Sequence, residues 1–516
     1  MDLSNYIEIL ACTKQGWFFK KDNTPERLNA LIKIAEIGKP GTIFNLIPFL
    51  KDNYKDIQIA TCNTIVELFK KIETRKGYYD TLKYCNISTA DVGNYQTVFQ
   101  GEQLNTILSI ATLNCNGYVR EKAIKELVKT HNQKAIPFIL FRLSDWVKPV
   151  RDSALEGIRK FKKPEFINAL VDNLAVVEWI QKVQRIDLSS VHSEIMKFVL
   201  VDNRDYVLEH FKTFTDRTRI LIAKQISFSK IVDSADMRLL LKDNHFLIRN
   251  LALNHFDKLT ETEVDSLLKD KSAKVRIQTL YKLKGQSNFA DIILPFLFDN
   301  SASIRELAQY RLKNEQLDFA RLYNENLMAK RDIIGSLAGL GETNGKQFVE
   351  NIHPYLNDQN IKIRKAAFLT LRKLDSKEAY NFALLNLDSE FIGLRNLVIE
   401  YLSKSATPEV LNKARATYSS GRLYLKEPML KLFSKIGGWP VIGDIIVGTI
   451  DEDEKIRRLS LAYLQRWKKR SVKYFIQPKD GELERANKIL NHALNIHDEK
   501  KYYSENPLTE LNFYLR

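Results

Sequence analysis

"LNDQNIKIRKAAFLTL", residues 356–371, sets Asp358 six places before Arg364, the aliphatic Ile363 just ahead of that arginine, and the small Ala367 three places after it. A carboxylate and a guanidinium at fixed spacing serve either chemistry or architecture, and recurrence separates the two. The pattern returns in "LSDWVKPVRDSA" (143–154), "LKDNHFLIRNLA" (241–252), "LKDKSAKVRIQT" (268–279) and "LFDNSASIRELA" (297–308). Weaker copies place Gln58 after Asp52, Arg120 after Asn114, Arg395 after Asp388 at one residue more, and Arg457 after Asp451, with a further copy around Arg27.

Across these ten copies the arginine position holds Arg in nine, and the residue before it is aliphatic in nine. The residue three places on is Ala30, Thr61, Ala123, Ala154, Ala252, Thr279, Ala308, Ala367, Val398 or Ser460, always small or β-branched. The key positions are 27, 58, 120, 151, 249, 276, 305, 364, 395 and 457, so nearly every gap is a multiple of a period near 31. The longer gaps are therefore expected to hide degenerate units. One shows at "SGRLYLKEPM" (420–429), where Lys426 takes the arginine place, and another at "RDIIGSLAGLG" (331–341), read as a second helix with a glycine stop.

Each period divides into two helical segments, such as "ADIILPFLF" before the aspartate and "SIRELAQYRL" after it. Pro48, Pro295 and Pro354 stand four places ahead of Asp52, Asp299 and Asp358, which predicts first helices bent near their ends, because proline removes a backbone donor. A carboxylate beside a helix start accepts N–H groups that the helix leaves unpaired, contributing about 0.5–2 kcal/mol. A guanidinium at this spacing can reach that same carboxylate, or the neighbouring unit's, with two hydrogen bonds. A single unit cannot bury its apolar face, so the units must stack.

These residues resemble HEAT repeats, particularly the short bacterial subtype also seen in bilin-lyase-type proteins, over about residues 24–470. The resemblance implies an all-α, right-handed α-solenoid of about 13–15 stacked two-helix repeats of about 31 residues. It also implies a polar ladder between repeats. Asp52, Asp145, Asp243, Asp270, Asp299, Asp358 and Asp451 take the aspartate role, and Arg151, Arg249, Arg276, Arg305, Arg364 and Arg457 the arginine role. Gln58 and Asn114 depart from the pattern, which interrupts the ladder toward the N-terminal end.

Two stretches break the period. Residues 73–100 carry Tyr78, Tyr79, Tyr84 and Tyr95 with weak periodicity, and read as a degenerate unit or as an inserted loop with exposed aromatics. After residue 474 the pattern stops; "GELERANKILNHALNI" reads as a final helix, and with its tail forms a capping segment over 475–516, following a solenoid over 1–474.

Composition sets the remaining limits. Gly (20) and Pro (13) are scarce, as an all-helical chain requires. "WPVIGDIIVGTI" (439–450) is the nearest approach to a membrane span, but it holds Asp444 and falls short of the roughly 20 apolar residues a bilayer needs. The opening "MDLSNYIEILACTKQGWFF" lacks the basic and apolar regions of a secretory signal, so the expected location is cytoplasmic. Cys12, Cys62, Cys85 and Cys115 have no metal or disulfide spacing, and the five-residue step from His492 to His497 puts the two rings on different helix faces. No metal or cofactor is expected.

Charge is the unusual quantity, with 79 Lys and Arg against 63 Asp and Glu, an excess of +16. Setting aside nine ladder arginines and eight ladder aspartates leaves 70 against 55, so the surplus lies on surfaces that the fold does not demand. From Lys455 to Lys473 no acidic residue occurs, and Arg458, Arg466, Lys468, Lys469, Arg470 and Lys473 are the candidate partner-binding patch. The bland alternative is a solvated helix end whose cations suit the dipole, with Tyr463 and Trp467 in the core. A milder patch is Arg159, Lys160, Lys162 and Lys163.

The sequence holds no phosphate loop, dinucleotide fingerprint, nucleophile elbow or zinc-protease helix, and the glycines of "SLAGLGETNG" and "IGGWPVIG" read as turns at helix ends. The functional reading is a non-enzymatic scaffold that takes a protein partner, acidic in character, on a concave surface formed by the second helices, with no membrane involved. The alternative is nucleic-acid binding by a basic concave face. A third reading follows from the resemblance, since HEAT-fold DNA glycosylases and bilin lyases host chemistry; Trp146 and Trp179 are the side chains that would stack on a ligand.

Overall fold

The computed structural model describes residues 3–12, 14–15, 21–72, 75–229, 232–471, 473, 477–479, 481–503 and 505–515, with the backbone alone at 14, 15, 21, 22, 75, 76, 78 and 79. The side chains of Tyr78 and Tyr79 therefore lie outside the described residues. The chain forms two compact units, residues 1–264 and 265–516, each a stack of helices. The β structure among the described residues is one two-residue antiparallel pairing, Lys14–Gln15 with Lys21–Asp22.

Helix Lys148–Lys160 shows how the repeat sequence builds its second helix. Pro149 sits in the first turn, where the helix needs no N–H from it. Val150, Ala154 and Ile158 recur at helical spacing and are buried, each large aliphatic contributing roughly 1.5–3 kcal/mol. Ala154 and its counterparts Ala30, Thr61, Ala123, Ala252, Thr279, Ala308, Ala367, Val398 and Ser460 are all at most 1 % exposed. That position must be small because successive second helices pack there, as 117–129 packs on 148–160 and 24–37 on 55–70.

The key residue has one structural address. Arg27, Gln58, Arg120, Arg151, Arg249, Arg276, Arg305, Arg364, Arg395 and Arg457 are each the fourth residue of a helix. The same address in the helices that fill the longer gaps is held by Val92, His192, Arg219, Ser336 and Lys426. The hidden units are therefore present, and Arg219 restores a ladder arginine that sequence comparison had missed.

Proline acts where expected. The α-helix Ile43–Leu46 tightens into a 3₁₀ turn over Ile47–Lys51 at Pro48, and Phe289–Ile293 does the same over Leu294–Phe298 at Pro295. At Pro354 the order is reversed, a 3₁₀ turn Lys346–Ile352 leading into His353–Leu356.

The glycines of "SLAGLGETNG" correct the sequence reading. Gly339 and Gly341 lie inside helix Ile333–Glu342, the second helix expected over 331–341, rather than in a turn, and Gly335 lies inside it too. A Cβ at Gly335 would stand 1.9 Å from the Phe298 carbonyl oxygen, and one at Gly339 would stand 2.2 Å from the Tyr323 ring. Close approach of neighbouring elements, rather than turn formation, selects glycine here. In "IGGWPVIG" the turn reading holds for Gly437 and Gly438, at φ 65° and 72°, while Gly443 lies within helix Ile442–Gly448.

Within residues 73–100 the described part is helical, Arg75–Leu82 and Thr89–Val98, with Leu82, Val92, Tyr95 and Phe99 buried and Tyr84 exposed. Ser88 and Asp91 close a reciprocal cap at the start of the second of these helices. Near the C-terminus helix Glu482–Lys500 packs against Ile442–Gly448. Asp444 ties the two together, accepting from Arg485 Nη2 at 2.5 Å and from Arg415 Nε at 2.9 Å.

Candidate functional site

The ladder is built from two different bonds. Within a unit the arginine does not meet its own aspartate's carboxylate; its Nη1 donates to that residue's backbone carbonyl. The distances are 2.8 Å for Arg151 to Asp145 O, 2.8 Å for Arg249 to Asp243 O, 2.7 Å for Arg276 to Asp270 O, 2.6 Å for Arg305 to Asp299 O and 2.9 Å for Arg457 to Asp451 O. The carboxylate meanwhile accepts the N–H two residues on: Asp145 from Val147, Asp243 from His245, Asp270 from Ser272, Asp299 from Ser301, Asp358 from Asn360 and Asp451 from Asp453. Spacing six is thus the reach of an arginine back across the turn that its aspartate closes.

Between units, the guanidinium's other edge grips the next carboxylate. Arg120 donates from Nε and Nη2 to Asp145 at 2.8 Å each, and Arg276 to Asp299 at 2.8 and 2.6 Å. Arg27 pairs with Asp52, Arg219 with Asp243 at 3.1 Å, and Lys426 with Asp451 at 2.8 Å. Burial alone would push the Asp145 carboxyl up, but hydrogen bonds from Arg120, the Val147 N–H and Arg142 outweigh it and hold the carboxyl below its usual range. Asp451 is held low in the same way, against burial, chiefly by Lys426 and the Asp453 N–H.

The opening stretch sits where this ladder is interrupted. The helix before it has Ser336 in the arginine place, so Asp358 receives no guanidinium from that side. On the other side the aspartate place is Ser389, whose Oγ accepts from Phe391 N and whose carbonyl accepts from Arg395 Nη1 at 2.6 Å. Asp388, the residue the sequence reading paired with Arg395, points elsewhere, to Lys413 at 3.8 Å. The Arg364 guanidinium consequently has no hydrogen bond or ion pair among the described residues, and it lies 4.3 Å from the Phe391 ring centre. Arg305 meets a different substitution: Lys330 stands where the next carboxylate belongs, and Glu342 replaces it at 2.9 and 2.5 Å.

The basic stretch is only partly available. Lys468 is buried and pairs with Glu510 at 3.0 Å, so it leaves the expected patch. Arg458 pairs with Glu454 at 2.5 Å, and Arg466 lies over Tyr463. Arg466, Lys469, Arg470 and Lys473 are exposed, the first three within helix Glu454–Ser471. In the milder patch all four cations meet carboxylates, Arg159 and Lys162 on Glu194, Lys160 on Glu156 and Lys163 on Glu165.

Two clefts of the first unit bear on the residues singled out above. The larger, about 700 Å³, runs between helices Gly101–Ala111, Ile136–Arg142 and Ile167–Asp172 and the end of Lys55–Lys70. Val66, Phe69, Phe138, Phe141 and Val176 give it an apolar floor. Asn105 also lines it; this side chain is buried, and its Oδ1 has no hydrogen-bond partner. The smaller cleft, about 450 Å³, brings Trp146 and Trp179 together beside Asp145. That carboxylate is already committed to Arg120, Arg142 and the Val147 N–H, so it is not available as a base. Among the described residues no group of three or more His, Cys, Asp and Glu is placed to hold a metal ion, and no helix is long and apolar enough to cross a membrane.

Helical pairs at a period near 31, small residues at the helix crossings and an Asp–Arg ladder make this an all-α stack of two-helix repeats, the architecture that the HEAT resemblance implied. No known family's sequence profile matches the chain, and no curated protein does. Among solved structures it is similar to importin beta crystallised in an ammonium sulfate condition, at 12 % identity and a TM-score of 0.32, covering 98 % of this chain and 70 % of that one. It is also similar to a structure concerning Kap95p binding to RanGDP, at 11 % identity and a TM-score of 0.30, covering 100 % of this chain and 67 % of that one. Likeness at these scores adds nothing to what the helices and the ladder establish by themselves.

Proposed function

We propose that the chain is a non-enzymatic, cytoplasmic scaffold that binds a protein partner, with the 700 Å³ groove of the first unit as its seat. The observation that carries this reading is the pairing of an apolar floor with the unpartnered Asn105 Oδ1. A buried acceptor without a donor is unfavourable by about 1–3 kcal/mol, and a partner's backbone N–H removes that penalty while its side chains cover Phe69 and Phe138. Sequence reasoning assigned the partner to the face of the second helices, whereas this groove is bounded mainly by first helices.

A photo-crosslinking residue placed at Ala169 or Asp172, both lining the groove, tests the assignment in the full chain. The expected product is a protease-sensitive, nuclease-resistant adduct that recurs on one polypeptide and is absent when the probe is moved to Lys125. Nuclease-sensitive adducts, or none above the Lys125 control, would overturn it. The second reading, nucleic acid, is favoured by the exposed Arg466, Lys469, Arg470 and Lys473 together with the excess of +16. It requires affinity to fall by nearly one logarithmic unit per logarithmic unit of salt for each phosphate contacted.

A further inference from the structure

Five ladder pairs between repeats join residues 23 to 25 apart in sequence, Arg27–Asp52, Arg120–Asp145, Arg219–Asp243, Arg276–Asp299 and Lys426–Asp451, whereas the substitute pair Arg305–Glu342 spans 37. Counting 25 on from Arg364 gives Ser389, and from Arg395 gives Ser420. Two consecutive repeats therefore keep the cation and lack the carboxylate. Arg395 is only 5 % exposed, its Nε is buried without a partner, and its guanidinium's sole hydrogen bond among the described residues is from Nη1 to the Ser389 carbonyl. The Arg364 guanidinium has none. Instead of anions, aromatic rings lie against the two guanidiniums, Phe391 at 4.3 Å and Tyr424 at 5.6 Å.

The surface around these cations is apolar. Phe391 is 46 % exposed, Ile392 66 %, Leu423 53 % and Tyr424 48 %, all at the starts of two neighbouring second helices. A buried cation without a counter-charge is unfavourable, and an exposed apolar patch beside it marks a surface completed by something else.

We propose that this turn edge binds an acidic, partly apolar peptide segment of a protein partner, whose carboxylates take the places that Ser389 and Ser420 leave without charge. Successive packed helices lie about 8–10 Å apart, and an extended chain advances about 3.3 Å per residue, so the two carboxylates stand about three residues apart. The intervening side chains are apolar and cover Phe391, Ile392, Leu423 and Tyr424. A nucleic-acid backbone fits less well, because the exposed side chains of Phe391, Ile392 and Leu423 are apolar and Glu390 adjoins Phe391 in sequence. The proposal rests on the scaffold reading but uses a surface separate from the groove, so the crosslinking result and this one stand or fall independently.

Fluorescence anisotropy with the full chain tests it. The probe is a labelled peptide with an Asp-Leu-Phe-Asp block in a Gly-Ser frame; the control carries Asn for both Asp. Binding of the probe should exceed that of the control by roughly tenfold or more, since each carboxylate makes a charge-assisted pair. The double variant Ser389→Asp with Ser420→Asp supplies the carboxylates from within: it should keep or raise the Tm and weaken the probe about tenfold, whereas Ala169→Arg in the groove should leave binding unchanged. Equal binding of probe and control, undiminished binding by the double variant, or preference for a single-stranded oligonucleotide would each overturn the proposal. So would a lowered Tm in the double variant, because a carboxylate at those places would then not match the guanidiniums.

Discussion

Replacing Arg276 by alanine and, separately, Arg364 by alanine puts the ladder to a quantitative trial, because both occupy the fourth position of a second helix in the same unit. Arg276 donates at 2.8 and 2.6 Å to Asp299 and at 2.7 Å to the Asp270 carbonyl, with its side chain 14 % and that of Asp299 9 % exposed. Its loss leaves a nearly buried carboxylate holding only the Ser301 N–H. Breaking such a pair destabilises by about 3–5 kcal/mol, and the residual exposure places this one near 3. Arg364 has no hydrogen bond to lose, only its stack on Phe391, worth about 0.5–1 kcal/mol. Urea unfolding followed by circular dichroism reads the difference: with a slope of about 1–3 kcal/mol per molar, Arg276→Ala should shift its midpoint by about 1 M or more, and Arg364→Ala by a few tenths. Equal shifts, or a larger one for Arg364→Ala, would refute the assignment of stability to the pair between repeats.

Other consequences are simpler to measure. Asp145 and Asp451 are held below the usual carboxylate range, so the stability they confer is present above about pH 4 and lost as pH falls through their folded values; a Tm profile should drop there, and less steeply in Asp145→Asn. Burial pushes the thiols of Cys62 and Cys85 up to about 12, while Cys115 is exposed. Maleimide at neutral pH should label Cys115 in the native chain and reach Cys62 and Cys85 only after unfolding. Gly335→Ala should destabilise by roughly 1–3 kcal/mol, seen as a lower urea midpoint, because its Cβ has no room beside the Phe298 carbonyl.

The repeat was readable because three physical demands fall on fixed positions of one helix. An aliphatic residue faces the core, as Val275 and Ile304 do; a small residue allows the crossing, as Thr279 and Ala308 do; and an arginine closes the turn. Where a unit meets those demands by other means the signal fades. Ser336 reaches the Arg331 carbonyl by its hydroxyl, His192 meets Glu178 at 3.3 Å, and Glu342 supplies a carboxylate from the far end of its helix. Glycine misled at 339 because one residue type serves both turns and close approach, and only the neighbouring Tyr323 ring tells which. Lys468 was placed in the patch because its partner Glu510 lies 42 residues on, beyond any local pattern. The groove was invisible for the same reason: Val66, Asn105, Phe138 and Val176 come from separate repeats.

The central claim is that the carboxylate belongs to the neighbouring repeat's arginine and the carbonyl to its own. Double-mutant cycles on Arg120, Asp145 and Arg151 test it most directly, since Arg120 donates to the Asp145 carboxylate at 2.8 Å and Arg151 to the Asp145 backbone oxygen at 2.8 Å. The Arg120–Asp145 cycle should give a coupling of about 1.5 kcal/mol or more, and the Asp145–Arg151 cycle one within about 0.5 kcal/mol of zero. Coupling concentrated in the Asp145–Arg151 pair would contradict the account.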